Sequence, residues 1–85
     1  MKVLHVIRSN NDTLAQQVIE EIERSGGARQ TILLIQDGVY VRPKDAPAFV
    51  CSDDAGARGV ETELPLVGYD RIVEMIFEHD KVITW

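Results

Sequence analysis

The sequence has few of the residues from which small proteins build covalent or metal cross-links. It contains one cysteine, Cys51, and two histidines, His5 and His79, among 85 residues. One cysteine excludes an internal disulfide, and the histidines show no metal-ligand spacing, so we expect neither a metal nor a cofactor. A chain of this length forms a single domain, residues 1–85, with a limited core. Self-association is the remaining common source of extra stability.

The sequence also lacks clusters of positive charge and long hydrophobic runs. Fourteen acidic residues outnumber nine basic ones, for a formal net charge of −5. Because binding to a phosphate backbone uses clustered Lys and Arg, we expect no direct nucleic-acid binding. No apolar run approaches the length of a membrane span, and residues 1–12 lack the features of a signal peptide. We therefore expect a cytoplasmic protein without membrane contact.

The first part of the chain predicts a strand, a helix and a second strand. Near-continuous apolar residues over Lys2–Arg8 indicate a strand covered on both faces. Within it, we expect His5 to be a partly buried residue with a hydrogen-bond partner and not a catalytic base. A helix follows, with Asp12 or Thr13 as its N-cap and a Gly-Gly pair as its stop. The apolar segment Thr31–Gln36 indicates a buried strand.

The segment after the second strand has two interpretations. Asp37-Gly38 lies between two apolar runs and is a strong hairpin signal. However, Ile32–Ile35 does not alternate between apolar and polar residues, as a half-exposed antiparallel strand would. The alternative is a parallel crossover between Gln36 and Ala48 with room for one or two helical turns. We favour the crossover.

The remaining segments continue the alternation of strands and helices. They are a strand over Ala48–Val50, a helix from Ser52, a short edge strand over Leu64–Val67, a helix from Asp70 to about Glu78 and a strand over Lys81–Trp85. Such alternation implies a mostly parallel sheet between helical layers. We therefore predict a three-layer α/β/α fold with four to five short strands.

Cys51 is the main candidate for chemistry. It precedes a helix start, where unpaired backbone N–H groups and the helix dipole favour a thiolate, and we expect it to be open to solvent. Ser52 and Arg58 are candidates for stabilising that anion, although an arginine at a helix C-terminus is favourable there without any such role. Against this, a lone cysteine behind an apolar pair is also typical of a core, and Asp53 and Asp54 raise a thiol pKa.

Three blocks of the sequence carry a resemblance to a known family. They are Leu33–Val39 (LLIQDGV), Asp53–Val60 (DDAGARGV) and Gly68–Trp85, the last ending on a tryptophan as TusB-type chains do. In their order and spacing they resemble the DsrH/TusB family of the DsrE/DsrF/DsrH-like superfamily. The likeness covers nearly the whole chain, and it implies the same compact α/β/α domain with a parallel sheet.

The resemblance implies a sulfur-relay subunit that carries or helps to transfer persulfide sulfur, and not an independent turnover enzyme. Such subunits join homologous DsrE/TusD-like and DsrF/TusC-like subunits in a hexamer of two trimers. The assemblies pass sulfur to an acceptor protein, toward 2-thiolation of the wobble uridine of tRNA or in dissimilatory sulfur oxidation. Self-association of this chain is the alternative to a mixed assembly.

The resemblance also bears on the role of Cys51. In TusD/DsrE relatives the sulfur-carrying cysteine lies in a pattern similar to V-C-x-A-A-x-x-R-R-G, and Val50-Cys51 followed by Arg58-Gly59 keeps that spacing. TusB-type subunits often lack this cysteine. The alternative is therefore a scaffold subunit in which Cys51 is inert. Tyr69 and Trp85 are candidates for a subunit interface, with a core position as the other interpretation.

Overall fold

The structure is a computed structural model that describes all 85 residues. It contains five strands, three α-helices and one 3₁₀ helix. In chain order the elements are β1 (Lys2–Ile7), α1 (Thr13–Ser25), β2 (Arg29–Leu34), the 3₁₀ helix (Gln36–Tyr40), β3 (Ala48–Cys51), α2 (Ser52–Ala57), β4 (Leu66–Val67), α3 (Tyr69–Glu78) and β5 (Lys81–Thr84). The strands form one all-parallel sheet in the order β4-β3-β2-β1-β5. The predicted α/β fold with four to five short strands is confirmed, and the sheet has five.

The two faces of the sheet are covered unequally. Successive side chains of a strand point to opposite faces, so the paired residues Ile7 and Leu34 share one face and Val6 and Leu33 share the other. The first face packs against α1, the 3₁₀ helix and α2, which contribute Ala15, Ile19, Val39 and Ala55 to its core. The second face packs against α3 alone, through Met75 and the half-buried Ile72.

Helix α1 has the start and stop that the sequence predicts. Of the two candidate N-caps, Asp12 is the one used, because its side chain accepts the Ala15 N–H at 3.0 Å. At the other end Gly26 has a left-handed φ of 69°, and its N–H donates to the carbonyl oxygens of Ile22 and Glu23. These caps satisfy backbone groups that the helix itself leaves unpaired.

The segment with two interpretations forms the 3₁₀ helix, not a hairpin. Since β2 and β3 are parallel neighbours, the crossover interpretation is confirmed. Gly38 allows the 3₁₀ helix to lie against the end of β1, because a Cβ there would come within 2.1 Å of the carbonyl oxygen of Ile7. That oxygen also accepts the Ile35 N–H at 3.0 Å, so it is held in place.

Strands β4 and β5 form the two edges of the sheet. Pro65 directly precedes β4, which agrees with the prediction of an edge position. Strand β5 pairs only with β1, and the N–H of Trp85 extends this ladder by donating to the Val6 carbonyl at 2.9 Å. None of the helices combines the length and hydrophobicity needed to cross a bilayer.

We expect Gly38→Ala to destabilise the fold, by about 1–3 kcal/mol, because the added methyl group meets held backbone. The matched control is Gly56→Ala in α2, where a Cβ meets nothing within 4 Å and alanine is the better helix former. Urea unfolding of both variants measures the difference. Equal unfolding midpoints for Gly38→Ala and the wild type would contradict the close approach.

Candidate functional site

Cys51 lies where β3 ends and α2 begins, as the sequence predicts. The backbone N–H groups of Asp53 and Asp54, in the first turn of α2, lie close enough to lower the pKa of its thiol, but its side chain makes no capping hydrogen bond to the helix. Cys51 pairs with Val67, so its side chain lies on the sheet face that α3 covers. The expectation of a solvent-open thiol is wrong for the single chain, because Cys51 is only 3% exposed.

The surroundings of Cys51 favour the neutral thiol. Burial raises the pKa of the Cys51 thiol, and the nearby Asp54 carboxylate raises it further. The N–H groups of Asp53 and Asp54 act in the opposite direction, but burial is the largest effect. Because the thiolate is the nucleophile, the isolated chain holds Cys51 in its less reactive form.

Cys51 nevertheless borders a groove of about 380 Å³ between α3 and the sheet. Ile35 lies on one side of this groove and Ile72 and Ile76 of α3 on the other, while Asp54 is among the few polar groups. The groove exists because α3 is the one helix on this face and does not cover all of it. Cys51 contributes the only thiol among its lining residues.

Neither predicted thiolate stabiliser contacts the sulfur. Arg58 turns back along α2, but its guanidinium donates to Asp37 Oδ1 at 2.9 Å and to the Asp54 carbonyl at 3.3 Å. It lies 4.0 Å from Asp54 Oδ1, so it partly offsets one member of the acidic pair. The Ser52 side chain makes no hydrogen bond, and the backbone N–H groups that lower the pKa of the thiol belong to the two residues after it.

Asp54 has a structural role at this site that sequence reasoning missed. Its Oδ2 accepts the Gln36 N–H at 2.7 Å, and Gln36 has a left-handed φ of 51° that is uncommon for a residue with a side chain. Asp54 therefore connects the turn after β2 with the helix after Cys51. No sequence signal could have revealed this contact, because it requires β2 and β3 to be neighbours.

The two interface candidates have different surroundings. Tyr69 is 66% exposed at the start of α3 and borders the groove, so it is free to contact a partner. Trp85 packs against the core on the opposite face of the sheet. Its indole stacks on the imidazole of His5 with 6.1 Å between ring centroids, and its carbonyl oxygen accepts from Arg8. Within the single chain Trp85 is therefore a packing residue.

His5 is buried with both ring nitrogens hydrogen-bonded, which confirms the prediction for this residue. Trp85 Nε1–H donates to His5 Nδ1 at 3.0 Å, and an indole N–H cannot accept, so the imidazole proton resides on Nε2. Nε2 lies 2.7 Å from Gln30 Oε1, and the Gln30 amide nitrogen donates to the Ile19 carbonyl and the Glu23 carboxylate. Burial lowers the pKa of His5, which opposes protonation of this network.

Comparison with known proteins assigns no family to this chain. No protein-family model matches it, and no curated protein is significantly similar to it. No group of three or more His, Cys, Asp or Glu side chains is arranged to hold a metal ion. The fold and the site define a class: a small all-parallel α/β domain with one buried cysteine at the carboxyl edge of its sheet.

We expect acid to destabilise the protein through His5. Because the pKa of His5 is lowered in the folded state, the unfolded chain binds the proton first as the pH falls. The stability due to neutral His5 is therefore complete above about pH 6.5, and it is lost as the pH falls through the folded-state pKa. His5→Gln should flatten this dependence, whereas His79→Gln should keep it. Urea unfolding followed by the fluorescence of Trp85, the only tryptophan, measures it. If the stability of His5→Gln depended on pH as steeply as that of the wild type, the assignment of the pH dependence to His5 would be contradicted.

We expect Asp54→Asn to make Cys51 more reactive. Removing the carboxylate charge beside the sulfur lowers the thiol pKa, so alkylation by iodoacetamide at neutral pH should be about three- to tenfold faster. Asp53→Asn is the matched control, because only the backbone N–H of Asp53 acts on the sulfur. Circular dichroism verifies that both variants are folded. Equal rates for the two variants would show that the Asp54 carboxylate does not control this thiol.

Proposed function

We propose that this protein is a subunit of a sulfur-relay assembly in which Cys51 carries sulfane sulfur as a persulfide. The observation that carries the proposal is the position of Cys51, which borders an apolar groove and lies close to two backbone N–H groups that lower the pKa of its thiol. Such donors stabilise a sulfur anion, and the groove leaves room for a second sulfur atom. The sequence resemblance to the DsrH/TusB family supports the same function.

The chemistry consists of two balanced exchange steps. The Cys51 thiolate attacks the terminal sulfur of a donor persulfide, the S–S bond of the donor breaks, and the donor leaves as a thiolate. A cysteine thiolate of an acceptor protein then attacks the terminal sulfur that Cys51 carries. The S–S bond at Cys51 breaks, and Cys51 leaves as a thiolate. Neither step needs an oxidant, a reductant, a metal or a cofactor. The protein acts as a carrier and not as an independent turnover enzyme.

The burial of Cys51 supports slow transfer by the isolated chain and faster transfer within an assembly. At 3% exposure and with a raised pKa, the sulfur reacts slowly until the groove widens, and a partner bound at α3 would widen it. The proposed partners are homologous DsrE/TusD-like and DsrF/TusC-like subunits or further copies of this chain, together with a sulfur acceptor in the cytoplasm. The destination of the sulfur is tRNA wobble-uridine 2-thiolation or dissimilatory sulfur oxidation.

A second candidate function is a scaffold subunit of the same kind of assembly. The observation that favours it is the combination of burial and a raised pKa at Cys51, which is typical of a core cysteine. In this role Cys51 transfers nothing. The exposed apolar side chains of α3 contact the neighbouring subunit.

Intact-mass measurement after incubation with glutathione persulfide tests the carrier function. We expect the folded wild type to gain the mass of one sulfur atom and Cys51→Ser to gain none. The wild type unfolded in urea serves as the control that the persulfide reagent can transfer sulfur to an accessible Cys51. If the unfolded chain gains sulfur while the folded chain gains none, the carrier function of the isolated subunit is contradicted and the scaffold function is favoured.

A further inference from the structure

The two edges of the sheet differ in how well they are protected from pairing with another strand. Strand β4 has two residues and follows Pro65, so this edge is short and interrupted. Strand β5 has four residues, Lys81–Thr84, and contains no proline. It pairs with β1 on one side only. The β5 edge therefore has none of the usual protection except one lysine.

The free edge of β5 presents unpaired backbone groups. The Trp85 N–H donates to β1. Because the N–H and C=O groups of successive residues point to opposite edges of a strand, the N–H and C=O groups of Ile83 also face β1. The backbone N–H and C=O groups of Val82 and Thr84 consequently point away from the sheet. Val82 is itself 39% exposed. A further strand could pair with these groups without disturbing the existing ladder.

Exposed apolar side chains of α3 adjoin this edge. They recur at the spacing of one helical side, and together with Val82 they form what we name the β5–α3 surface. Ile76 and Tyr69 border the same groove as Val82 and Thr84, so the helix side and the strand edge are contiguous. The members of the β5–α3 surface, with their exposed fractions, are Tyr69 (66%), Val73 (50%), Ile76 (42%), Phe77 (85%) and Val82 (39%).

The β5–α3 surface has the size of the apolar centre of a dimer interface. Since aromatic side chains bury about 150–250 Å² each, the exposed fractions correspond to about 500 Å² of apolar area. A stable interface needs about 800 Å² per partner, and the strand edge with its polar rim supplies the remainder.

We propose that two copies of this chain associate through the β5–α3 surface, with their β5 strands antiparallel about a two-fold axis at Ile83. Val82 of each copy then faces Thr84 of the other, and each such pair exchanges two backbone hydrogen bonds. The two sheets become one continuous sheet with both α3 helices on the same face. A second copy suits this edge because the symmetry matches every outward donor to an acceptor. The proposal does not depend on the function of Cys51.

Light scattering coupled to size exclusion tests the association. We expect the wild type at about 100 µM to show twice its single-chain mass of 9.5 kDa, and Val82→Lys and Phe77→Lys to weaken dimerisation at least tenfold. Leu14→Lys in α1 and Tyr40→Lys in the 3₁₀ helix add the same charge at exposed apolar positions elsewhere and should remain dimeric. A monomeric wild type, or equal dissociation by the control variants, would overturn the proposal.

Cross-linking tests the position of the two-fold axis. In a Cys51→Ser background, Ile83→Cys should oxidise to a covalent dimer, because opposed residues of a non-hydrogen-bonded pair lie within disulfide distance. Leu14→Cys in the same background should not. A dimer that Ile83→Cys fails to cross-link would place the interface elsewhere and overturn the β5 pairing. Sulfur uptake by Cys51 is measured separately, so a monomeric wild type would leave the relay function standing.

Discussion

A parallel sheet must be covered on both faces, and this chain has little helix with which to do so. The first face is covered by α1, the 3₁₀ helix and α2, while the second has only the ten residues of α3. Because one helix cannot cover five strands, a groove remains beside it. The same shortage leaves Phe77 85% exposed. The groove and the exposed side of α3 are thus two results of one constraint.

The surroundings of Cys51 have opposing effects on the pKa of its thiol. The end of β3 places Cys51 against the N–H groups of α2, which favour the anion, but the same placement buries the sulfur and brings the Asp54 carboxylate beside it. Asp54 is held there because it also satisfies the Gln36 N–H and lies near Arg58. The protonation state of Cys51 is therefore coupled to the packing between the turn after β2 and the helix after β3.

The opposite face is consolidated by a polar network within the core. His5, Gln30 and Trp85 satisfy one another's donors and acceptors, so β1, β2 and the residue after β5 are connected by side chains as well as by backbone pairing. A buried network of this kind is stable only when every member is satisfied. Here the bond from the Trp85 indole requires a neutral imidazole, and burial of the ring lowers the pKa of His5 and so favours that form.

The sequence by itself determined the element order, the stop of α1 and the parallel class, and it left Asp12 or Thr13 as the N-cap, because these features depend on local periodicity and on residues that act on their own neighbours. It also placed Cys51 at a strand end before a helix. It could not determine whether Asp37-Gly38 forms a hairpin, whether the thiol is exposed, or which groups surround it. Those depend on which strands become neighbours and on how far α3 covers the sheet. Only the tertiary structure decides such contacts between distant segments, because burial and pKa are set by everything that surrounds a group.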